Sequence, residues 1–216
     1  MNIKDIIFNK LLFEAVSRVG DGKKGILVLD IDDTLLKADP TVIGVIKTKD
    51  GKTTRLTTEQ FAKDPESKKP YPPGVSFSIE EFRDPKKVYA SIVQGTPMLK
   101  NLKIMDAHIK AQYDVAFLTA RGLQDVVTKA LQDFLMFRDK DNKLQPIGDK
   151  LKTALSAAIN DEVRFYPGET DAEKKGNVLK NLSKQYDRVV FVDDDEKNIN
   201  MAKSLGLKNL VVIKAH

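Results

Sequence analysis

Five short apolar runs constrain the fold of this 216-residue chain more than any other feature. The first, residues 26–31 (ILVLDI), has no polar residue before Asp30, which is typical of a strand buried on both faces of a parallel sheet. The others are residues 114–119 (DVAFLT), 163–166 (VRFY), 188–192 (RVVFV) and 209–213 (NLVVI). Helical stretches separate the runs, so the sequence predicts an α/β fold with a Rossmann-like, doubly wound parallel sheet.

The spacing of apolar residues predicts helices between these runs and one helix before them. The predicted ranges are 3–16, 122–137, 149–158, 171–185 and 196–205. A further helix is predicted to begin with Thr96 as its N-cap and Pro97 in its first turn. Gly206 follows the last helix, as glycine often does where a helix ends. We interpret residues 138–148 as a surface loop.

Residues 37–95 interrupt the alternation of strands and helices. They contain a predicted hairpin with Asp50 and Gly51 at its turn, and then a polar, Pro-rich run (DPESKKPYPPG). We interpret them as an insertion after the first strand, an exposed and partly loop-like cap on a core formed by residues 1–36 and 96–216. Its lysines and the rings of Tyr71 and Phe77 are candidates for substrate contacts, with core packing as the alternative for the two rings.

Composition excludes several kinds of site. Cysteine is absent, which excludes disulfides, thiol nucleophiles and zinc–thiolate sites, and two histidines are too few for a multi-histidine metal site. No apolar run reaches the length of a membrane span and the N-terminus lacks a secretory pattern, so we expect a cytoplasmic protein. The net charge of +5 comes from scattered residues, which is more typical of a solvated surface than of a nucleic-acid footprint. The charge does not exclude nucleic acid as a partner.

Acidic, hydroxyl and basic side chains follow the apolar runs, where the strands of a parallel sheet would end. They are Asp30, Asp32, Asp33 and Thr34 after the first run, Thr119 and Arg121 after the second, Lys174 and Lys175 after the third, and Asp193, Asp194 and Asp195 after the fourth. Ligands of open parallel sheets bind at the carboxyl ends of the strands. We therefore expect these side chains to meet in one crevice.

This set of side chains suits phosphoryl transfer. Asp30 and Asp32 lie two apart on an extended segment, so one can attack an electrophile while the other transfers a proton. Clustered carboxylates keep their charge beside a hard divalent cation such as Mg²⁺, which prefers oxygen ligands. A hydroxyl and an ammonium can hold the oxygens of a phosphoryl group. Each motif alone also suits a helix cap or an Asx turn, so the prediction depends on the ordered set.

Four motifs resemble those of the haloacid dehalogenase (HAD) superfamily of phosphatases and phosphotransferases, over the first strand and roughly residues 97–213. They are VLDIDDTLL, FLTAR, KKGNVL and VFVDDDEKNINMAKSLG. The resemblance implies that Asp30 is the nucleophile and Asp32 the general acid and base. It implies that Thr119 and Lys175 bind the phosphate, with Lys174 as the alternative lysine. It also implies a Rossmann-like core with a cap inserted after the first motif.

The resemblance further implies a Mg²⁺ site. Its ligands would be Asp30, the backbone carbonyl of Asp32 and the acidic pair of Asp193 and Asp194. Asp194 is the expected direct ligand of this pair, Asn198 completes the fourth motif, and Thr34 occupies the hydroxyl position of the first. Arg121 is a further candidate for phosphate binding, with pairing to an acidic surface residue as the alternative.

We therefore expect a Mg²⁺-dependent phosphomonoester hydrolase that acts through an aspartyl-phosphate. The substrate stays open between a phosphorylated small molecule, a nucleotide and the 3′ or 5′ end of a nucleic acid, because the second and fourth motifs are reminiscent of nucleic-acid-end and phage-encoded phosphatases. Two other classes are a catalytically idle HAD-fold binding or structural protein and a response-regulator-like receiver. A receiver would have paired acids after its first strand and a phosphoacceptor after a central strand, whereas here Thr119 follows the second core strand and the second acidic cluster comes late in the chain.

Overall fold

The structure, a computed structural model, describes residues 24–39, 41–138, 144–146 and 171–215. The strands in chain order are β1 (Gly25–Leu29), β2 (Leu36–Lys37), β3 (Val45–Lys49), β4 (Lys52–Leu56), β5 (Val75–Ser78), β6 (Thr96–Pro97), β7 (Asp114–Phe117), β8 (Met136–Arg138), β9 (Leu144–Pro146), β10 (Arg188–Asp193) and β11 (Leu210–Lys214). The helices are α1 (Thr58–Lys63), α2 (Pro85–Val93), α3 (Leu99–Lys110), α4 (Gln124–Phe134), α5 (Asp171–Gln185) and α6 (Glu196–Ser204). Within these ranges, no helix has both the length and the apolar character of a membrane span.

Four strands form a parallel sheet in the order β11-β10-β1-β7. All five residues of β1 are buried, as expected for a strand with a neighbour on each side and packed side chains on both faces. The α/β class and the parallel sheet predicted from the apolar runs are confirmed. The predicted strand at 163–166 and the predicted helices at 3–16 and 149–158 lie outside the described residues.

The helix α5 packs on the face of the sheet toward which Asp30 and Asp193 point. Ile26 and Val28 of β1 and Phe191 of β10 belong to one buried cluster together with Val178 and Leu179 of α5. Successive side chains of a strand point to opposite faces, so the acidic residues two positions beyond Val28 and Phe191 point toward α5. The residue one turn before Val178 and Leu179 in α5 is Lys175, which the helix therefore presents to the same face.

The beginning of α3 differs from the prediction. Thr96 and Pro97 form the short strand β6, which pairs with β2, and α3 begins at Leu99 with Met98 as its N-cap residue. The Met98 amide donates to the carbonyl of Leu35 over 2.9 Å. A tertiary backbone contact thus overrides the local capping signal.

Two further predictions need correction. Within the predicted surface loop at 138–148, β9 pairs antiparallel with β8, so part of that stretch is a strand. The predicted helix at 122–137 is α4, which covers only Gln124–Phe134. It begins directly after Leu123, which adopts a left-handed φ of 59° that ends any helical conformation on its N-terminal side.

The chain divides into two compact units. The first consists of Met1–Leu36, Pro97–Ala120 and Leu135–His216, and the second of Lys37–Thr96 and Arg121–Phe134. The division lies within one residue of the predicted ends of the insertion. It differs for α4, which was expected in the core and belongs instead to the second unit. There α4 packs against α2, and the Tyr89 hydroxyl donates to Asp133 over 2.6 Å.

The second unit is more regular than the partly loop-like cap expected from its sequence. Its antiparallel sheet has the strand order β4-β3-β5. The turn between β3 and β4 consists of Asp50 and Gly51, both with left-handed φ values (50° and 75°), so the predicted hairpin is confirmed. On this sheet the ring of Phe77 packs against Phe61 and Tyr71, with centroid distances of 5.2 and 5.1 Å.

Candidate active site

The register of the parallel sheet brings Asp30 beside Asp193. Leu29, the last residue of β1, pairs with Val192 of β10, so the next residue of each strand is acidic and at the same level. The Asp30 amide donates to the Val192 carbonyl over 2.9 Å, which extends the ladder by one residue. Both carboxylates therefore lie at the carboxyl edge of the sheet, where ligands bind in open α/β folds.

Lys175 joins the two carboxylates. Its Nζ donates to Oδ1 of Asp30 and to Oδ2 of Asp193, each over 2.7 Å. The exposed fractions of the Lys175, Asp30 and Asp193 side chains are 6%, 9% and 1%, so the ion pairs are almost fully withdrawn from water. Burial alone lowers the pKa of Lys175, but the two carboxylates outweigh it and raise the pKa above its usual value. The ammonium therefore stays charged at neutral pH.

Gly176, the residue after Lys175, lies against a side chain of α6. A Cβ atom at Gly176 would lie 2.6 Å from Sδ of Met201 in α6, well inside van der Waals contact. A larger residue at this position would require the Met201 side chain to move.

Asp193 is held by a full set of donors. Its Oδ1 accepts from the backbone amide of Asp195 over 2.9 Å, and the Asn198 side-chain amide lies 3.1 Å from both carboxylate oxygens. Asp195 also caps α6 by accepting from the Lys197 amide. Together with Lys175, these donors engage both oxygens of Asp193. Asp193 thus holds Lys175 beside Asp30 through hydrogen bonds that engage both of its own oxygens.

Asp194 is half-buried and contacts the loop after β1. The hydroxyl of Thr34 donates to Oδ1 of Asp194 over 3.1 Å, and the amide of Asn101 in α3 donates to the Thr34 carbonyl over 2.6 Å. Burial raises the pKa of Asp194, and the nearby carboxylate of Asp193 raises it further, although the Thr34 hydroxyl opposes the shift. A cation beside Asp194 would favour its ionised form.

The donor set fits a hard divalent cation. Asp30, Asp193 and Asp194 each offer a carboxylate oxygen, and these oxygens lie within 4.8 Å of one another. Burial is the largest cause that raises the pKa of Asp30, to about 8; Lys175 opposes the shift, while Asp193 and Asp32 add to it. When all three are ionised, three carboxylates share one buried ammonium, so the ionised cluster has an excess of negative charge and a cation would favour this form. Oxygen ligands with such an excess suit Mg²⁺.

The loop after Asp30 is a tight turn that carries Asp32. The amides of Leu35 and Leu36 both donate to the Ile31 carbonyl, and the Asp33 amide donates to the Leu36 carbonyl over 2.9 Å. Asp33 has a left-handed φ of 53°, which an aspartate tolerates better than most residues. Asp32 is half-buried at the start of this turn, close enough to Asp30 to raise its pKa.

Thr119 and Arg121 fall in different units. The Leu118 amide donates to the Leu29 carbonyl over 2.8 Å, so Thr119 follows directly on the sheet edge that carries Asp30. Arg121 belongs to the second unit, where Nη1 donates to the buried Ser91 hydroxyl over 2.8 Å. The role of Arg121 in phosphate binding stays a prediction.

Several basic residues of the insertion pair with carboxylates of the second unit. Lys47 binds Asp64 and Glu66, each over 2.6 Å, and Lys49 binds Glu66 over 2.8 Å. Arg55 of β4 pairs with Glu81. These cations balance carboxylates of their own unit. The ring contacts of Tyr71 and Phe77 agree with the packing alternative, and nucleic acid as a partner stays a prediction.

Two features of the site carry no signal in the sequence. Asn101 lies among the polar residues of an amphipathic helix and looks like a surface residue, yet it is fully buried. Gly176 was part of the lysine motif, but its close approach to α6 depends on Met201, 25 positions later in the chain. A spacing rule cannot identify either residue, because their partners come from other elements.

A comparison with protein families finds none that matches the chain, and a comparison with curated proteins finds no significant match.

Proposed function

We propose that this protein is a Mg²⁺-dependent phosphomonoester hydrolase of the HAD type, which acts through an aspartyl-phosphate on Asp30. One observation carries the proposal. The buried Asp30 shares the Lys175 ammonium with Asp193, and an oxygen of Asp194 lies within 4.8 Å of both carboxylates. Burying this excess of negative charge costs stability unless a cation offsets it, which supports a role beyond structure.

In the first step, a carboxylate oxygen of Asp30 attacks phosphorus and the bond from phosphorus to the leaving oxygen breaks. Asp32, as a carboxylic acid, gives its proton to that oxygen. In the second step, water attacks phosphorus and gives a proton to the Asp32 carboxylate. The bond between phosphorus and Asp30 then breaks, which releases inorganic phosphate and restores the free enzyme.

The remaining side chains orient the phosphoryl group and balance its charge. Lys175 and the Thr119 hydroxyl would bind its oxygens. Asp30, Asp194 and the backbone carbonyl of Asp32 would hold Mg²⁺. When bound, the ion offsets the negative charge of the carboxylates and of the phosphoryl group. Asp193 keeps Lys175 in place through its own hydrogen bonds.

The test is phosphate release from an aryl phosphate with Mg²⁺ and with EDTA. We expect release by the wild type with Mg²⁺, and its loss in Asp30→Asn, because an amide cannot attack phosphorus. The matched control is Asp187→Asn, an exposed aspartate that accepts from the Lys24 amide at the opposite edge of the sheet. Turnover by Asp30→Asn within tenfold of the wild type would contradict the assignment of the nucleophile.

A panel of substrates then separates the remaining alternatives. It includes sugar phosphates, nucleotides and 3′- or 5′-phosphorylated oligonucleotides. Preference for an oligonucleotide end would support the nucleic-acid-end phosphatase. No turnover of any member by a folded, metal-binding protein would support the catalytically idle alternative. Mass spectrometry of the wild type during turnover should detect an added phosphoryl group on the peptide that contains Asp30.

A further inference from the structure

The buried side-chain amide of Asn101 has a hydrogen-bond partner for its nitrogen but none, among the described residues, for its oxygen. Its Nδ2 donates to the Thr34 carbonyl over 2.6 Å, across 67 positions of sequence. Its Oδ1 is buried and has no hydrogen-bond partner within the described residues. A buried polar atom without a partner costs stability, so an apolar side chain would serve packing better here. The contact with Thr34 gives a reason for the asparagine.

Thr34 extends this contact to the acidic cluster. Thr34 and Asn101 are both fully buried, and the Thr34 hydroxyl donates to Oδ1 of Asp194 over 3.1 Å. Asn101 holds the backbone of Thr34, so the position of this hydroxyl is fixed from α3. The hydroxyl in turn holds one oxygen of the Asp194 carboxylate. Asn101 thus bonds the backbone of Thr34, and the side chain of Thr34 bonds Asp194, so that hydrogen bonds through Thr34 link three separate segments.

We propose that Asn101 and Thr34 are positioning residues, which hold the carboxylate of Asp194 in the orientation that a divalent cation requires. The inference rests on the proposed function, which assigns Asp194 as a metal ligand. It adds two residues that act through Asp194 and contact neither phosphate nor the reacting atoms. Hydrogen bonds to a ligating carboxylate typically change metal affinity by about 10- to 100-fold.

The first test compares Thr34→Val with Thr34→Ser, using Mn²⁺ as the probe in calorimetric titrations of the full chain. Valine nearly preserves the volume of threonine but removes the hydroxyl, so we expect Mn²⁺ binding to weaken by about tenfold or more. Serine retains the hydroxyl and should bind Mn²⁺ within about threefold of the wild type. The matched control is Thr128→Val, because the Thr128 hydroxyl bonds only the Gln124 carbonyl of its own helix among the contacts described.

The second test uses Asn101→Ala and separates positioning from packing. Loss of packing lowers the melting temperature in EDTA but leaves the rise caused by Mn²⁺ unchanged. Loss of positioning reduces that rise. We expect Asn101→Ala to reduce both, and Thr34→Val to reduce the Mn²⁺-induced rise with little change in EDTA.

The outcomes distinguish this inference from the proposed function. Equal Mn²⁺ affinity in the wild type and Thr34→Val overturns the positioning role. Absence of Mn²⁺ binding by the wild type overturns it together with the metal site. If Thr34→Val weakens Mn²⁺ binding and Thr34→Ser restores it, the positioning role stands. The positioning role then stands even if the protein hydrolyses no phosphate ester. That second result would contradict the proposed phosphatase function alone.

Discussion

The ammonium of Lys175 lies 2.7 Å from Oδ1 of Asp30, although 145 positions separate the two residues in the chain. The same ammonium lies 2.7 Å from Asp193, and all three side chains are buried. One cation therefore holds together the end of β1, the end of β10 and the first half of α5. The stability of the first unit and the chemistry of its proposed site depend on the same side chains.

Lys175→Met should destabilise the protein strongly. The substitution keeps much of the apolar side chain but leaves Asp30 and Asp193 without their cation. Removing one partner of a buried ion pair costs about 3–5 kcal/mol. The free energy of unfolding in urea at neutral pH, without metal, measures this loss. Lys180→Met, an exposed lysine of the same helix, is the control and should change stability by less than about 0.5 kcal/mol. Equal values for the two variants would contradict the role of Lys175.

Asp194→Asn should remove the stabilisation that Mg²⁺ provides. At a metal concentration 100 times its Kd, linkage gives about 2.7 kcal/mol, or roughly 5–10 °C in Tm for a protein of this size. The variant should be as stable as the wild type or more stable in EDTA, because it deletes a charge beside Asp193. Thermal melting of both proteins in EDTA and in Mg²⁺ tests this.

The contrast for that experiment is Asp195→Ala. Asp195 caps α6, and loss of an N-cap costs about 1 kcal/mol with or without metal. Asp195→Ala should therefore lower Tm in EDTA and keep the full Mg²⁺ shift. If Asp194→Asn behaves in this way, Asp194 is a structural residue and not a metal ligand.

His108 should make the protein less stable as the pH falls from about 6.5. It is fully buried, and its Nδ1 donates to the Ile104 carbonyl over 2.7 Å. Burial lowers the pKa of His108 to about 4, with a smaller contribution from Arg188 and opposition from the bond to Ile104. Between pH 6.5 and 4 the unfolded state binds a proton that the folded state does not. The free energy of unfolding therefore decreases over this window, by up to about 3 kcal/mol.

Urea unfolding of the wild type and His108→Gln at several values from pH 7 to pH 4.5 checks this. Glutamine does not titrate, so only the wild type loses stability through position 108 as the pH falls. Any advantage in the free energy of unfolding that the wild type has over His108→Gln at pH 7 should therefore shrink or reverse at pH 4.5. Other groups, such as Asp30 with its raised pKa, contribute equally to both proteins and cancel in the difference. A difference that is constant with pH would show that His108 takes up its proton equally in both states.

Glu81→Gln should loosen the second unit. The Glu81 carboxylate, 11% exposed, accepts from Arg55 of β4, from Lys87 of α2 and from the backbone amide of Gly44. An amide cannot pair with both cations, and hydrogen bonds that involve charged groups contribute about 1.5–3 kcal/mol each. Amide hydrogen exchange of β3 and β4 should therefore become faster. Glu80→Gln is the control, because Glu80 is 72% exposed and pairs only with Arg83 among the ion pairs described. Unchanged exchange in Glu81→Gln would contradict a central role for this carboxylate.

The sequence predicts the sheet edge well because two independent signals coincide there. Four apolar residues before Asp30 require a buried strand, and a carboxylate directly after them is unusual unless it lies at the end of that strand. The same reasoning applies to β10 and Asp193. Because side chains alternate along a strand, Asp30 and Asp193 point toward the same face of the sheet. They pair with Lys175 because α5 packs on that face.

The features that escaped prediction depend on contacts between distant segments. Thr96 and Pro97 have the local chemistry of a helix start, but pairing with β2 is the stronger interaction. Arg55 looks like part of a basic surface until Glu81, 26 positions later, comes to lie beside it. Asn101 is a polar residue typical of a solvent-facing position, yet it is buried and bonds the loop after β1. Local patterns contain no information about such partners.

The order of the parallel sheet also determines when the proposed site can form. β1 pairs with β7 on one side and with β10 on the other, so its second neighbour is made more than 150 residues after it. Until that strand arrives, a growing chain presents β1 as an open, wholly apolar edge, which favours association with other chains. Closure of the edge places Asp193 beside Asp30 in the same event. A chain that still exposes this edge therefore lacks the Asp30–Asp193 pair of the proposed site, and a chain that has formed the pair has already covered that edge of β1.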